Sequence, residues 1–293
     1  MLNALNVRRN FKIQLPNLEI AAAEWGNPTG NPIIALHGWL DNIASYYPLL
    51  MQSNWLLQNN LRFIAFDLPG HGHSEHRHLS HPYNLVEYVQ DLHDFVEALQ
   101  LNEFSLLGHS LGAAIATLFA ATFPQRVSNL MLIEGVGPLT QTEEEGPAQL
   151  AKSILQRNRH YNRDNQYYED LQLIIHARAK VSDLDEQNVA LLVERNMRST
   201  NQGYHWRSDP RLRLPTALYL TPKQAQAFNK NLSMPTILLY GKNGFVHKYP
   251  AVKERIADYK QLQIRELDGG HHLHMQYPEQ VIETIVPFLK ANS

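Results

Sequence analysis

An α/β fold, with a mostly parallel sheet covered by helices on both faces and a helical insertion late in the chain, is what this sequence of 293 residues predicts. Three observations carry that reading. Short apolar runs alternate with helical patterns from Pro32 to Gly135, as successive βαβ units require. Around Gly137 the chain becomes richer in Glu, Gln, Arg, Asn and Tyr, with apolar residues at helical spacing. Strand character then returns at "PTILLYG" and "LQIREL".

Taken in order, "FKIQL" and "LEIAAAEWG", joined through Pro16-Asn17, predict a hairpin. "PIIALHG" reads as a buried strand stopped by Gly38, and "RFIAFDLPG" as a strand ending in a Pro-Gly turn. Leu85, Val89, Leu92, Val96 and Leu99 fall on one helical face. "EFSLLGHS" is a strand, "LGAAIATLFAATF" a small-residue helix ended by Pro124, and "VSNLMLIEG" the next strand. "YYEDLQLIIHARA" and "EQNVALLVERNM" are helical, and a last helix is expected from Pro278 to Lys290. This gives a core over 1–136 and 233–293 and a helical cap over 137–232. No internal repeat or low-complexity tract is seen.

Composition narrows the function. The chain is 44% hydrophobic and 18% charged, enough apolar material for a sizeable core. A net charge of -2 implies no global attraction to nucleic acid or anionic membrane. The absence of cysteine excludes disulfides and thiolate chemistry. No apolar stretch is long enough to span a membrane, and "MLNALNVRRNFKIQLPN" lacks the apolar core of a secretory signal. The expectation is a cytoplasmic protein, monomer or homodimer, that needs no cofactor or metal.

One turn carries the chemistry. In "LLGHSLGAAIATLFA" a strand stops at Gly108-His109-Ser110-Leu111-Gly112 and a helix follows. Gly-x-Ser-x-Gly in that context is a nucleophile elbow: the turn lifts the serine hydroxyl clear of the sheet, and the glycines remove side chains that would collide. The helix N-terminus beside it offers free N–H groups for a developing oxyanion. His37-Gly38-Trp39 closes an earlier strand, so the oxyanion hole is assigned to the backbone amides of Trp39 and Leu111. His37, Gly38 and His109 are expected to border the substrate pocket. Serine needs a base, and the loop "LDGGHHLHMQYPEQ" offers His271, His272 and His274.

Together these motifs resemble the α/β-hydrolase fold over essentially the whole chain, and more closely the serine hydrolase-like protein family. The matching segments are "LHGWLDN", "DLPGHGHSEH", "LLGHSLG" and "GGHHLHMQYPEQ", with "LLVERNMRSTNQGYHWRSDPRLRLP" in the insertion. The resemblance implies a serine hydrolase with a helical cap and no particular substrate. It places the base after a glycine and seven residues before a proline, which selects His271 ahead of His272; His274 is expected to pack on or cap its own helix. It also implies an acid after the seventh strand, in Gly-x-x-Asp. Here that stretch is "LLYGKNGFVHKYP", with Gly244 at the fourth position. Glu134, at the tip of the preceding strand, is the alternative acid; Asp268 lies too close to His271 in sequence. Dehalogenases and epoxide hydrolases of this fold carry aspartate at the elbow, so Ser110 argues for acyl transfer through a covalent ester intermediate, as in a serine esterase acting on small or medium acyl esters.

Other signals stay open. His71, His73, His76, His78 and His81 read as a solvated loop near the pocket rather than a zinc site. Glu143-Glu144-Glu145 reads as the exposed start of the cap. Arg195, Arg198, Arg207, Arg211 and Arg213 either meet an anionic substrate or, as favoured, form a salt-bridged surface. Tyr161, Tyr167 and Tyr168 either line the acyl pocket or hold the cap. The vacant Gly244 position keeps a second reading, a ligand-binding protein on a hydrolase scaffold, beside the esterase.

Overall fold

The computed structural model of the protein describes residues 9–52, 54–160, 166–248 and 250–292. Among the described residues there are ten strands: β1 (Arg9–Gln14), β2 (Glu19–Gly26), β3 (Asn31–Leu36), β4 (Leu61–Phe66), β5 (Phe104–His109), β6 (Val127–Ile133), β7 (Met197–Thr200), β8 (Gly203–Trp206), β9 (Thr236–Gly241) and β10 (Leu262–Leu267). Eight form one sheet in the order β1-β2-β4-β3-β5-β6-β9-β10. β2 pairs antiparallel with both neighbours, as the Pro16-Asn17 hairpin requires, and every other pairing in the sheet is parallel.

Alternation along the central strands divides the core. Ile33, Ala35, Leu107, Met131, Ile133, Ile237 and Leu239 face the layer built by Tyr47–Met51, Trp55–Gln58 and the last helix, Pro278–Ala291. Ile34, Leu36, Leu106, Leu130, Leu132 and Leu238 face the helices Leu85–Ala98 and Leu111–Thr122. With both faces covered, β5 is buried at every position, which is why these strands read as continuous apolar runs. The edge strand β10 exposes Gln263, Ile264, Arg265 and Glu266, and its charges discourage further strand pairing.

Two helices differ from their sequence pattern. Helix Leu85–Ala98 buries Tyr88, Leu92, Phe95 and Val96, whereas Leu85, Val89 and Leu99 are partly buried. The aromatic rings pull its buried stripe round from the aliphatic one. Helix Leu111–Thr122 is buried on all sides from Gly112 to Ala121, because Leu85–Ala98, the sheet and Pro222–Asn231 all pack on it.

The insertion contains helices Gly146–His160, Leu171–Ala179 and Glu186–Asn196, followed by the β7–β8 hairpin, which helical spacing did not foretell. The exposed Glu143–Glu145 turn opens it through a capping box from Thr142. Ile174, Val189, Leu192 and Val193 extend the core beneath the insertion. Polar bonds fix it too: Asn42 Nδ2 donates to Leu192 O (2.9 Å), Asp209 N to Gly70 O (2.8 Å) and Trp39 Nε1 to Leu212 O (2.9 Å). Helix Pro222–Asn231, the last of the stretch, packs on the core, where Asn231 Nδ2 donates to Ala121 O (2.7 Å).

The strongest tether is Arg195, which donates through Nε and Nη2 to Asp67, with Nη2–Oδ2 at 2.7 Å. Asp67 has no exposed surface and also accepts from Ile43 N (2.9 Å) and His73 N (2.8 Å). Burial opposes its charge, yet Arg195 above all, and the His73 amide with it, keep its pKa below the usual value. Arg195→Met is expected to lower stability by about 3 kcal/mol, the cost of leaving a buried charge without its partner; urea unfolding near neutral pH measures it.

Candidate active site

The chain enters the site at a turn that few residues tolerate. Ser110 has φ 52° and ψ -110°, between the end of β5 and the start of helix Leu111–Thr122. Such a conformation costs an L-residue of order 1–3 kcal/mol. The Ser110 N–H donates to Ile133 O at 2.9 Å, which ties the turn to β6. A Cβ on Gly108 would strike the backbone of Gly112, and one on Gly112 would strike Leu36 O. The two glycines thus let β3, β5 and the helix close on the serine. The Ser110 hydroxyl makes no hydrogen bond among the described residues.

The loop after β3 is held by His37. Its Nε2 accepts from Leu68 N (2.9 Å) and its Nδ1 donates to Gly38 O (2.8 Å), so the ring is neutral; burial lowers its pKa. Beyond it, neither the Trp39 nor the Leu111 N–H donates to another group among the described residues. Trp39 itself is 52% exposed at the rim.

Glu134 follows β6 and lies in the left-handed region, φ 53°. Its side chain is buried. Oε1 accepts from Gly241 N at 2.7 Å, and Oε2 accepts from Phe245 N. These donors flank the turn after β9, where the family's acid is expected. A Cβ at Gly244 would overlap the Glu134 carboxylate. The carboxylate from β6 therefore fills the place vacated at 244. His271 Nδ1 lies 3.4 Å from Glu134 Oε2. A carboxylate can only accept, so Nδ1 carries the proton and Nε2 is left as a base.

His272 is built differently. Nδ1 is 2.6 Å from Asp183 Oδ1 and Nε2 is 3.2 Å from Asp41 Oδ2. Two acceptors require both ring nitrogens protonated, an imidazolium. Burial alone would depress its pKa, but Asp41 and Asp183 raise it to about 10. Asp41 also accepts from Arg178 Nη2 at 2.9 Å, and against its burial these cations hold it well below the carboxylate range. His272 thus bridges the cap residue Asp183 to the core residue Asp41, and it has no free lone pair with which to take a proton from serine.

His109 and His274 lie behind. His109 Nε2 donates to His271 O (2.9 Å), and burial keeps the ring neutral. His274 is fully buried 4.3 Å from the His109 ring centre, and burial holds its pKa at about 3.

A cavity of about 800 Å³ lies between core and cap. Gly38, Trp39, Asp41, Ser110, His271 and His272 form its core wall. Tyr168, Leu173, Ile174, Arg178, Trp206 and Arg213 are on its cap wall.

Several expectations need correction. His37 and His109, expected to border the pocket, are fully buried and do not line it: His37 spends both ring nitrogens on backbone groups, and His109 turns Nε2 to His271 O and Nδ1 towards Asp41, 3.7 Å from Oδ2. The histidine-rich loop is not uniformly solvated, because His71 is buried against His37. Tyr168 lines the cavity, Tyr167 does not, and Tyr161 lies outside the described residues. Asp268 is exposed and paired with Lys242. Sequence reasoning missed Asp41, Arg178 and Asp183. Asp41 sat within a quoted motif, whereas nothing in the sequence links Asp183 to a loop so far along the chain.

This fold and cavity define an α/β-hydrolase, and the chain belongs to the alpha/beta hydrolase fold family, whose match covers residues 31–278. Relatives of this chain include serine hydrolase-like proteins. That of Danio rerio is 31% identical, covering 97% of this chain and 89% of its own length. Serine hydrolase-like protein 2 of Homo sapiens is 28% identical, over 96% and 94%. A hypothetical protein of Pseudomonas aeruginosa PAO1 has a similar crystal structure, with TM-score 0.89 and 33% identity over 96% of this chain and 99% of that one. Among the described residues no helix is long and apolar enough to cross a membrane.

The His272 bridge has a pH signature. Its stabilisation is complete below the unfolded histidine pKa of about 6.5 and is lost as pH rises through about 10. His272→Gln is expected to cost about 3 kcal/mol near pH 6, and the gap to the parent should narrow steadily towards alkaline pH. Urea unfolding across that range checks it; a gap independent of pH would contradict a bridging cation.

Proposed function

We propose that the protein hydrolyses carboxylic esters through an acyl-enzyme on Ser110, with small or medium acyl chains as its substrates. The observation that carries this reading is the serine on a left-handed turn, in a cavity shared with a histidine backed by a buried carboxylate.

In this reading Ser110 Oγ attacks the carbonyl carbon while His271 Nε2 takes its proton. The amides of Trp39 and Leu111 donate to the oxyanion, and both are free to do so. Collapse expels the alcohol, which leaves with the proton from His271. Water then attacks the acyl-serine with His271 as base, and the acid departs as Ser110 regains its proton. Glu134 holds the His271 tautomer and stabilises the imidazolium. The segment 137–232 serves as the cap that limits water in the cavity. The vacant 244 position keeps a catalytically weak or inactive ligand-binding protein as the second reading; the Glu134 carboxylate beside it speaks against that alternative.

Intact-mass measurement after exposure to a fluorophosphonate tests the proposal. One adduct is expected on the parent and none on Ser110→Ala; no adduct on folded parent protein would overturn it. Glu134→Gln is expected to lower ester turnover by about 10³–10⁴-fold. Because the amide NH₂ must face one of two backbone donors, stability should also fall, by about 1–3 kcal/mol. Near-parental turnover would remove Glu134 from the mechanism.

A further inference from the structure

Among the described residues, the cavity has one cation whose charge nothing on its walls balances. Of the cap arginines, Arg195 is bound to Asp67, Arg211 to Asp209, and Arg207 Nε donates to Met197 O (3.1 Å). None of these lines the cavity, whereas Arg213 does, and its guanidinium makes no hydrogen bond or ion pair among the described residues. The other charged groups on the walls are Arg178, His272 and Asp41, and Asp41 takes a bond from each of the two cations. Asp183, outside the cavity, supplies the second anion that His272 needs. Three cations therefore meet two anions, and the uncompensated one is Arg213.

Arg213 is exposed at the mouth of the cavity, and the backbone that carries it is fixed. Leu212 O accepts from the Trp39 indole at 2.9 Å, and Asp209, buried, caps the turn at Arg211 N (2.9 Å) while its own N–H is held by Gly70 O. These bonds anchor the Pro210–Arg213 turn to the rim loop that carries the proposed oxyanion amide. Trp39, Leu173, Ile174 and Trp206 supply apolar wall beside it. A guanidinium in such a setting suits a carboxylate, which it can grip with two parallel hydrogen bonds.

Resting on the ester-hydrolase reading, we propose that the substrate is an ester carrying a carboxylate on an apolar arm, and that Arg213 receives this carboxylate while Ser110 receives the ester. Arg213 is then the residue that sets specificity for acidic over neutral esters.

Two measurements separate this proposal from the reading beneath it. In Ser110→Ala protein, suberate is titrated against the fluorescence of Trp39 and Trp206, with 1,8-octanediol as the uncharged counterpart. Suberate is expected to bind, and Arg213→Gln in that background to weaken it about tenfold without a matching change for the diol. Failure of suberate to bind, or equal binding with and without Arg213, would overturn the anion site. With Ser110 intact, the ratio of kcat/KM for 4-nitrophenyl hydrogen suberate over 4-nitrophenyl octanoate is expected to fall about tenfold in Arg213→Gln, and to recover in part in Arg213→Lys. Cleavage of both esters at a ratio unmoved by Arg213→Gln would overturn the anion site and leave the hydrolase. Suberate binding that depends on Arg213, with neither ester cleaved, would overturn the hydrolase and leave the anion site.

Discussion

The close approach of backbones beneath Ser110 is the constraint on which the site depends. A serine at φ 52° cannot be held by its own preference, so the surroundings must hold it. They do so with β6, which accepts its N–H, and with two glycines that admit Leu36 O and the first helical turn. The all-round burial of helix Leu111–Thr122 supplies the rigidity, and its run of alanines keeps the helix close to the sheet. The strain at the turn is the local cost of presenting a hydroxyl at the C-terminal edge of a parallel sheet.

A second constraint follows from burying a carboxylate. Glu134 is buried, so its charge needs donors, and the end of β9 and the turn after it provide them as the amides of Gly241 and Phe245. Gly244 completes the exchange, because any side chain there would occupy the carboxylate's own volume. The missing acid and the unusual glutamate are thus one feature. Glu134 and Gly244 meet in space, so a side chain at 244 and this carboxylate placement exclude one another.

Next to this pair the adjacent histidines divide their tasks by partner. His271 faces a single carboxylate and keeps a lone pair; His272 faces two and keeps none. That division makes His272 a tie between cap and core, with Asp183 above and Asp41 below. Arg178 joins the same carboxylate from the cap. Together with Arg195 on Asp67, two buried core carboxylates hold the insertion over the cavity.

Most of the sheet was legible in the sequence, because strands buried on both faces read as unbroken apolar runs. Ser110 was legible because its chemistry needs glycines at fixed spacing. The choice between His271 and His272 rested on resemblance alone; partners distant in sequence, Glu134 and Asp183, distinguish them. The β7–β8 hairpin was hidden because Met197 to Trp206 shows no strict alternation and is partly exposed. His37 and His109 were misplaced because adjacency in sequence to Gly38 and to Ser110 does not say which way a ring turns. The claim that most needs testing is the relocated acid. Ester turnover of Glu134→Gly, with and without Gly244→Asp, tests it: glycine suits the backbone at 134 and clears the volume that an aspartate at 244 needs. The exchange is expected to restore at least tenfold of the activity lost in Glu134→Gly. Parental turnover in Glu134→Gly, or equal turnover in the two folded variants, would contradict it.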